Sequence, residues 1–189
     1  LITGGDSGIG RSVSVLFARE GADIAICYLD EDQDARDTKK MVEDEGRRCL
    51  LIQCDLQDQD EIKKMVEKTL QEFKTINILV NNAGILYSGP FEDTTIDAHH
   101  RTLDINVKGV MNGCHAAFPY LKESSFARII NLSSASAIYG QADLSSYSTS
   151  KFAVRGLTES LDIEWQPYGI RVLDVMPLFV NTAMVKDMQ

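Results

Sequence analysis

The sequence lacks the features that would direct it to a membrane, a nucleic acid or a metal. No apolar run in its 189 residues approaches the ~20 needed to span a bilayer. Positive charge is in deficit: 19 Lys and Arg stand against 28 Asp and Glu. The net charge of −9 disfavours phosphate backbones and anionic lipid surfaces as partners. Leu1-Ile2-Thr3 runs straight into glycines with no secretory leader, so a cytoplasmic protein is expected. Cys27, Cys49, Cys54 and Cys114 show no C-x-x-C spacing and read as reduced core thiols rather than a disulfide or zinc framework. The histidines lack ligand-like companions. His99 and His100 read as helix-surface residues, His115 as a packed one, and no metal site is assigned. Repeats, low-complexity tracts and linkers are absent too. With 44% hydrophobic residues, residues 1–189 are expected to fold as a single domain around a sizeable core.

What is present is an alternation. Leu1-Ile2 reads as the end of a buried strand, followed by the glycine turn Thr3-Gly4-Gly5-Asp6-Ser7-Gly8-Ile9-Gly10. A helix follows over 11–20, with Val13, Leu16 and Phe17 inward. Strand, glycine turn and helix N-terminus together suit a pyrophosphate, because backbone N–H groups and the helix dipole face the anion. Apolar strands are expected over 23–29, 49–53, 76–80, 128–132 and 170–176. Helices are expected over 33–46, 61–73, 97–121 and 146–168. Ile62, Met65, Val66 and Leu70 form the inner face of the 61–73 helix. Leu103, Ile105, Val107, Val110 and Met111 do so in the 97–121 helix, and Phe152, Val154, Leu157 and Leu161 in the last. This pitch predicts an α/β fold: a three-layer, doubly wound parallel sheet, Rossmann-like, in one domain. Ligands of such sheets bind beyond the carboxyl ends of the strands, where the glycine turn, Asp55 and Asn81-Asn82-Ala83-Gly84 fall.

Chemistry concentrates in Tyr147-Ser148-Thr149-Ser150-Lys151. Tyr147 and Lys151 stand one helical turn apart on one face. An ammonium beside a phenol favours the phenolate. Bringing a free tyrosine from about 10 to neutral pH takes roughly 4 kcal/mol. One lysine at a partly wet site does not supply that, so a second cation nearby is implied. On a solvated helix the same pair is commonplace. Asn106 interrupts the apolar side of the 97–121 helix, and Ser133-Ser134 end the fifth strand at the ligand edge.

Taken in order, Thr3-Gly4-x-x-x-Gly8-Ile9-Gly10, Asp55, Asn81-Asn82-Ala83-Gly84, Asn106-Val107-x-Gly109, Ser134 and Tyr147-x-x-x-Lys151 resemble the short-chain dehydrogenase/reductase family. The likeness is to its compact group of roughly 250-residue enzymes. The resemblance implies hydride transfer between a nicotinamide cofactor and a small carbonyl or secondary alcohol, with no nucleic-acid or membrane partner. Tyr147 would be the general acid/base. Lys151 would lower its pKa and bind the nicotinamide ribose, Ser134 would hold the substrate oxygen, and Asn106 would break the helix and fix a water. The oxidised nicotinamide would be the second cation. The cofactor would contact Gly4, Asp6, Ser7, Gly8, Ile9, Gly10, Tyr28, Leu29, Asp55, Leu56, Asn82, Ala83, Gly84, Tyr147, Lys151, Pro177, Val180 and Thr182. Asp55 would cap the adenine amino group, Asn81 and Gly84 would line the adenosine ribose, and Thr182 would meet the carboxamide. Homodimers or homotetramers paired through the 97–121 and 146–168 helices are implied as well. The rival reading is a nicotinamide-binding sensor or scaffold that keeps the fold without turnover.

Two departures from the family pattern stand out. Pro177 is followed by Leu178 where glycine is common. Either the position has positive φ, and Leu costs roughly 1–2 kcal/mol there, or the local backbone differs. The family's substrate lid and seventh strand are also not in the sequence. Cofactor choice turns on the end of the second strand, where an acid at Tyr28 would signal NAD and a base at Leu29 or Ser7 would signal NADP. Neither is present. Asp30, Glu31, Asp32 and Asp34 precede the first base, Arg36, so NAD(H) is slightly favoured with NADP(H) open. Arg11 and Arg36 are the residues that would reverse that preference.

Overall fold

The computed structural model describes residues 1–182 and 184. Six parallel strands form one sheet: β1 (Ile2–Thr3), β2 (Ile24–Tyr28), β3 (Cys49–Gln53), β4 (Ile78–Asn81), β5 (Ala127–Leu132) and β6 (Ile170–Val175). Their spatial order is β3-β2-β1-β4-β5-β6. The order reverses beside β1, where Ile2 pairs with Ile26 on one side and Val80 on the other. Chain crossovers leave in opposite directions from that point, and a crevice opens between them.

Helices α1 (Gly8–Arg19) and α2 (Asp32–Asp44) cover one face. Ala18 and Val42 pack there on Ile2, Ile26 and Val80. Helices α3 (Gln59–Phe73), α5 (Val110–Leu121) and α6 (Ser145–Trp165) cover the other. Ile62, Met65, Ala117 and Val154 meet Leu79, Ile129 and Ile170 in that layer. All four cysteines are buried and unpaired, and burial pushes the Cys49 and Cys114 thiols up to about 12. No described helix is long and apolar enough to cross a membrane.

Several expectations need correction. The first helix begins at Gly8, and it turns Gly10, Ser14 and Ala18 to the sheet while Leu16 is left 54% exposed. Small residues four apart bring the helix axis close to the strands, and Val13 and Phe17 pack partly buried on the same cluster, so of the three expected residues Leu16 alone turns outward. The expected 97–121 helix is three segments: α4 (Ile96–Leu103), a π-helical turn (Asp104–Gly109) and α5. The wider turn rotates the face downstream, so Met111 points out and Cys114 and Ala117 point in. Phe152 is likewise exposed. The histidines exchange roles, with His115 exposed and His99 buried. His99 stacks on Phe91, donates from Nε2 to the Phe91 carbonyl at 3.2 Å, and meets the Ser146 hydroxyl through Nδ1. It thereby ties the 87–95 connection to the start of α6. Among the described residues no group of three His, Cys, Asp or Glu is placed to hold a metal.

A polar row crosses the sheet beneath α5 and α6. Asn81, Asn131 and Asp174 are in register on β4, β5 and β6. Asn81 donates to Asn131 at 2.8 Å and to the Cys114 sulfur, and Asn131 donates to Thr158 at 2.8 Å. Buried amides are tolerated because each finds a partner.

Two glycines test this packing in opposite directions. A Cβ on Gly10 would stand 1.9 Å from the Gly4 carbonyl oxygen and 2.6 Å from Asn82 Nδ2. Gly10→Ala is expected to destabilise by roughly 3 kcal/mol or more. Gly156, within α6, would meet nothing within 4 Å, and Gly156→Ala should stabilise by roughly 0.5–1 kcal/mol. Urea unfolding of both variants checks the pair.

Candidate functional site

A cleft of about 340 Å³ lies along the carboxyl ends of the strands. Its floor at one end is the glycine turn. Gly4 and Gly8 there have φ of 60° and 52°, a region only glycine enters freely. The turn delivers the N-terminus of α1 uncapped. Ser7 makes no side-chain cap and no acid occupies the first turn, whereas Asp58 caps α3 and Thr95 caps α4. The first amides of a twelve-residue helix therefore face the cleft with the positive end of its dipole, a fitting seat for a phosphate. Asn82 holds the turn in place, donating from Nδ2 to the Thr3 and Gly4 carbonyls at 3.0 and 2.9 Å.

Ser134, Tyr147 and Lys151 line the other end. Ser134 ends the β5 segment, and α6 carries the other two one turn apart. Burial pushes the Tyr147 phenol above its usual value, and the nearby Ser134 hydroxyl draws it back part of the way. Lys151 Nζ lies 5.5 Å from the Tyr147 ring centroid and donates to the Leu132 carbonyl at 2.7 Å. Burial pulls the lysine itself down to about 8, with Asp174 acting in the other direction.

Asn106 lies behind the cleft wall, in the π-helical turn. Its side-chain amide pairs with both backbone groups of Ile85, accepting at 2.8 Å and donating at 2.9 Å, and also donates to Ser150 Oγ at 3.1 Å. A Cβ on Gly84 would stand 3.2 Å from Asn106 Oδ1 and 3.6 Å from Lys151 Nζ, so both groups converge on that glycine.

Of the other expected contacts, Asp6, Ser7, Ile9, Tyr28, Leu29, Asp55, Leu56, Ala83, Pro177, Val180 and Thr182 line the cleft with Gly4, Gly8, Asn82 and Gly84. Two expectations fall elsewhere. Gly10 is not a lining residue but the contact between α1 and the β1 turn. Asn81 is buried in the polar row, its amide donating to Asn131 and Cys114. Thr182, a lining residue, lies against Gly8. Leu178 lines the mouth, 74% exposed, and is not among the positive-φ residues; the backbone differs and no strain is stored. Glu31, Ile85, Ile105 and Met184 also line the cleft and were not expected. Ile85 follows the Asn-Asn-Ala-Gly run directly, and that adjacency was the available signal.

At the Tyr28 end the charges are already paired. Arg11 donates to the Asp6 carbonyl, to Thr38 Oγ1 at 2.8 Å and to Asp34 Oδ1 at 2.7 Å. The Tyr28 hydroxyl donates to Asp32 at 2.9 Å, which raises its pKa. Arg36 donates to Gln33. Glu31 is the one of the four expected acids that lines the cleft.

Comparison with known proteins accords with this geometry. General stress protein 39 of Bacillus subtilis (strain 168) is 44% identical over 186 residues, covering 98% of this chain and 64% of that protein. The chain thus spans just under two thirds of that relative's length. A short chain dehydrogenase from Burkholderia cenocepacia J2315, solved in complex with NADP, superposes with a TM-score of 0.93 at 36% identity, over 97% of this chain and 75% of that one. Carveol dehydrogenase from Mycobacterium avium, solved in complex with NAD, gives 0.92 at 28% identity, over 97% and 71%. The family model described as short chain dehydrogenase matches residues 1–189. Matched along its whole length, the chain belongs to the short chain dehydrogenase family.

Proposed function

We propose that this chain carries the catalytic site of a nicotinamide-dependent oxidoreductase acting on a small carbonyl or secondary alcohol. One observation carries the reading: Ser134, Tyr147 and Lys151 converge at one end of a cleft whose other end is an uncapped helix N-terminus. A protein that only binds a dinucleotide has no use for a hydroxyl pair and a buried amine at that distance from the phosphate seat. The bound cofactor would supply or accept the hydride. Tyr147 would give its phenolic proton to the carbonyl oxygen in reduction and recover it in oxidation. Ser134, which lines the cleft with that phenol and donates to Ser136 Oγ at 3.2 Å, would turn to the same oxygen as charge gathers on it. Lys151, with one N–H on Leu132, would direct its remaining donors to the ribose and its charge to the phenol. Asn106 would hold Ile85 and Ser150 so that Gly84 and Lys151 keep their places.

The ribose end supports NAD(H) over NADP(H). A 2′-phosphate would meet Glu31 in the cleft wall, while the nearest guanidinium, Arg11, is held by Asp34 and Thr38. Self-association through the α4–α5 and α6 surfaces is part of the reading. Met111, Phe152 and Ile163 lie 49%, 45% and 74% exposed there, an apolar surface that a second copy would cover.

Tyr147→Phe should lower kcat by about 10²–10⁴-fold while leaving cofactor affinity nearly unchanged. Lys151→Ala should damage both. Stopped-flow turnover and fluorescence titration of the nucleotide separate the two outcomes, and a Phe variant that keeps most of its rate removes Tyr147 from the mechanism. Cofactor choice is read as kcat/KM with NADH and NADPH on one carbonyl substrate at low ionic strength. NADH should be preferred; an NADPH preference abolished by Arg11→Ala or Arg36→Ala would reverse the assignment. Light scattering at micromolar concentration should report a dimer or tetramer, and a monomer would count against the paired helices.

A further inference from the structure

Asp174 is a half-buried acid that neither the fold nor the reaction as described makes use of. It follows Ile170 and Val172 on the β6 face that packs against α6. Both carboxylate oxygens are shielded from solvent and accept no hydrogen bond among the described residues. An unpaired buried carboxylate is strongly unfavourable, and a purely structural position would be better filled by a small apolar side chain. Its in-register neighbour Asn131 offers no relief, since that amide is committed to Asn81 and Thr158. The Ser133 N–H faces it but donates to the Val175 carbonyl.

Three charged groups act on Asp174, all from α6: Lys151, Arg155 and Glu159. Arg155 and Glu159 are bonded to each other at 3.0 Å, and Arg155 also donates to the Ala137 carbonyl. Lys151 is the foremost of the three. Its amine is tethered to the carbonyl of Leu132, and Leu132 pairs with Val175, the residue after Asp174. A fully buried amine with one neutral acceptor has little to hold its proton.

We propose that Asp174 is a positioning residue for the active site: its carboxylate is the counter-charge that keeps Lys151 an ammonium ion, and through Lys151 it acts on Tyr147. The proposal rests on the oxidoreductase reading only for its consequence in catalysis, because the electrostatic link exists in the cofactor-free chain. Two opposed tendencies on Lys151 agree with it. Burial draws the amine down to about 8, and Asp174 is the one charge named against that fall. Burial raises Asp174 in turn, and Lys151 leads the charges that lower it. The sign follows. Removing the carboxylate weakens proton binding at Lys151, so the ammonium is lost at lower pH.

The test is the titration of Lys151 Nζ in 15N-lysine-labelled protein without cofactor, in wild type, Asp174→Asn and Asp174→Ser, with Arg155→Gln as control. Lys151 should titrate at lower pH in both Asp174 variants and should not do so in Arg155→Gln. Whichever Asp174 variant folds gives the reading. An unchanged Lys151 titration overturns the proposal and assigns Asp174 to Arg155. With a turned-over carbonyl, the alkaline fall of kcat/KM for reduction should move to lower pH in Asp174→Asn. A loss of equal size at every pH would mark a structural role only and would also overturn it. Absence of turnover in the wild type would sink the oxidoreductase reading while the titration still judged Asp174.

Discussion

The cleft depends on one side chain that never enters it. Asn106 grips both backbone groups of Ile85 and reaches Ser150, so one amide joins the loop after β4, the helix pair α4–α5 and the helix that carries Tyr147 and Lys151. Those three segments come from distant parts of the sequence, and side-chain contacts of ordinary apolar packing would leave their relative depth adjustable. A pair of charge-neutral, directional bonds to a backbone unit does not. The π-helical turn is the local price of that grip: an α-helix with regular i to i−4 bonds would point residue 106 at a neighbouring turn.

The electrostatics of the site are built by burial first and partners second. Tyr147 is raised and Lys151 lowered, both mainly because charge is disfavoured in the cleft wall. Each shift holds its group neutral more readily than water would. Charge placed beside either group would act in a medium where it is poorly screened. Uncapped amides at the glycine turn and an unpaired carboxylate under Lys151 share that character. Each is unfavourable alone and becomes favourable only with a partner of opposite sign.

Much of the fold could be read from period and punctuation. The strand over 49–53 matches β3 residue for residue, the others lie within two or three, and the placement of Asp55, Asn82–Gly84 and Ser134 at one edge follows from strand ends alone, whereas Tyr147 sits on a helix and was placed there by the family resemblance. Facing was harder to read. Leu16, Met111 and Phe152 are large and apolar, yet small residues such as Gly10, Ser14 and Ala18 face the sheet because helix α1 and strand β1 approach too closely for anything larger. Asn106 signalled a break in the helix, but the hydrophobic pattern carries no mark of an extra residue per turn. His99 and His115 differ only in what the 87–95 connection places beside them, and Asn81 differs from Asn82 only by the alternation of a strand. The pairing of Arg11 with Asp34 joins two helices and has no local signature.

The position of β1 bears on how the chain finds this structure. It lies inside the sheet, where Ile2 and Thr3 pair with Ile26 and Cys27 on one side and with Val80 and Asn81 on the other. During synthesis β1 emerges before both neighbours, β2 soon after it and β4 much later. Until then β2 and β3 can zip together as a neighbouring pair while the central strand has one open edge. Closing that edge requires a contact across nearly eighty residues, a slow, entropy-limited event. The crevice at the reversal lies beside that strand, so it forms when the two halves meet.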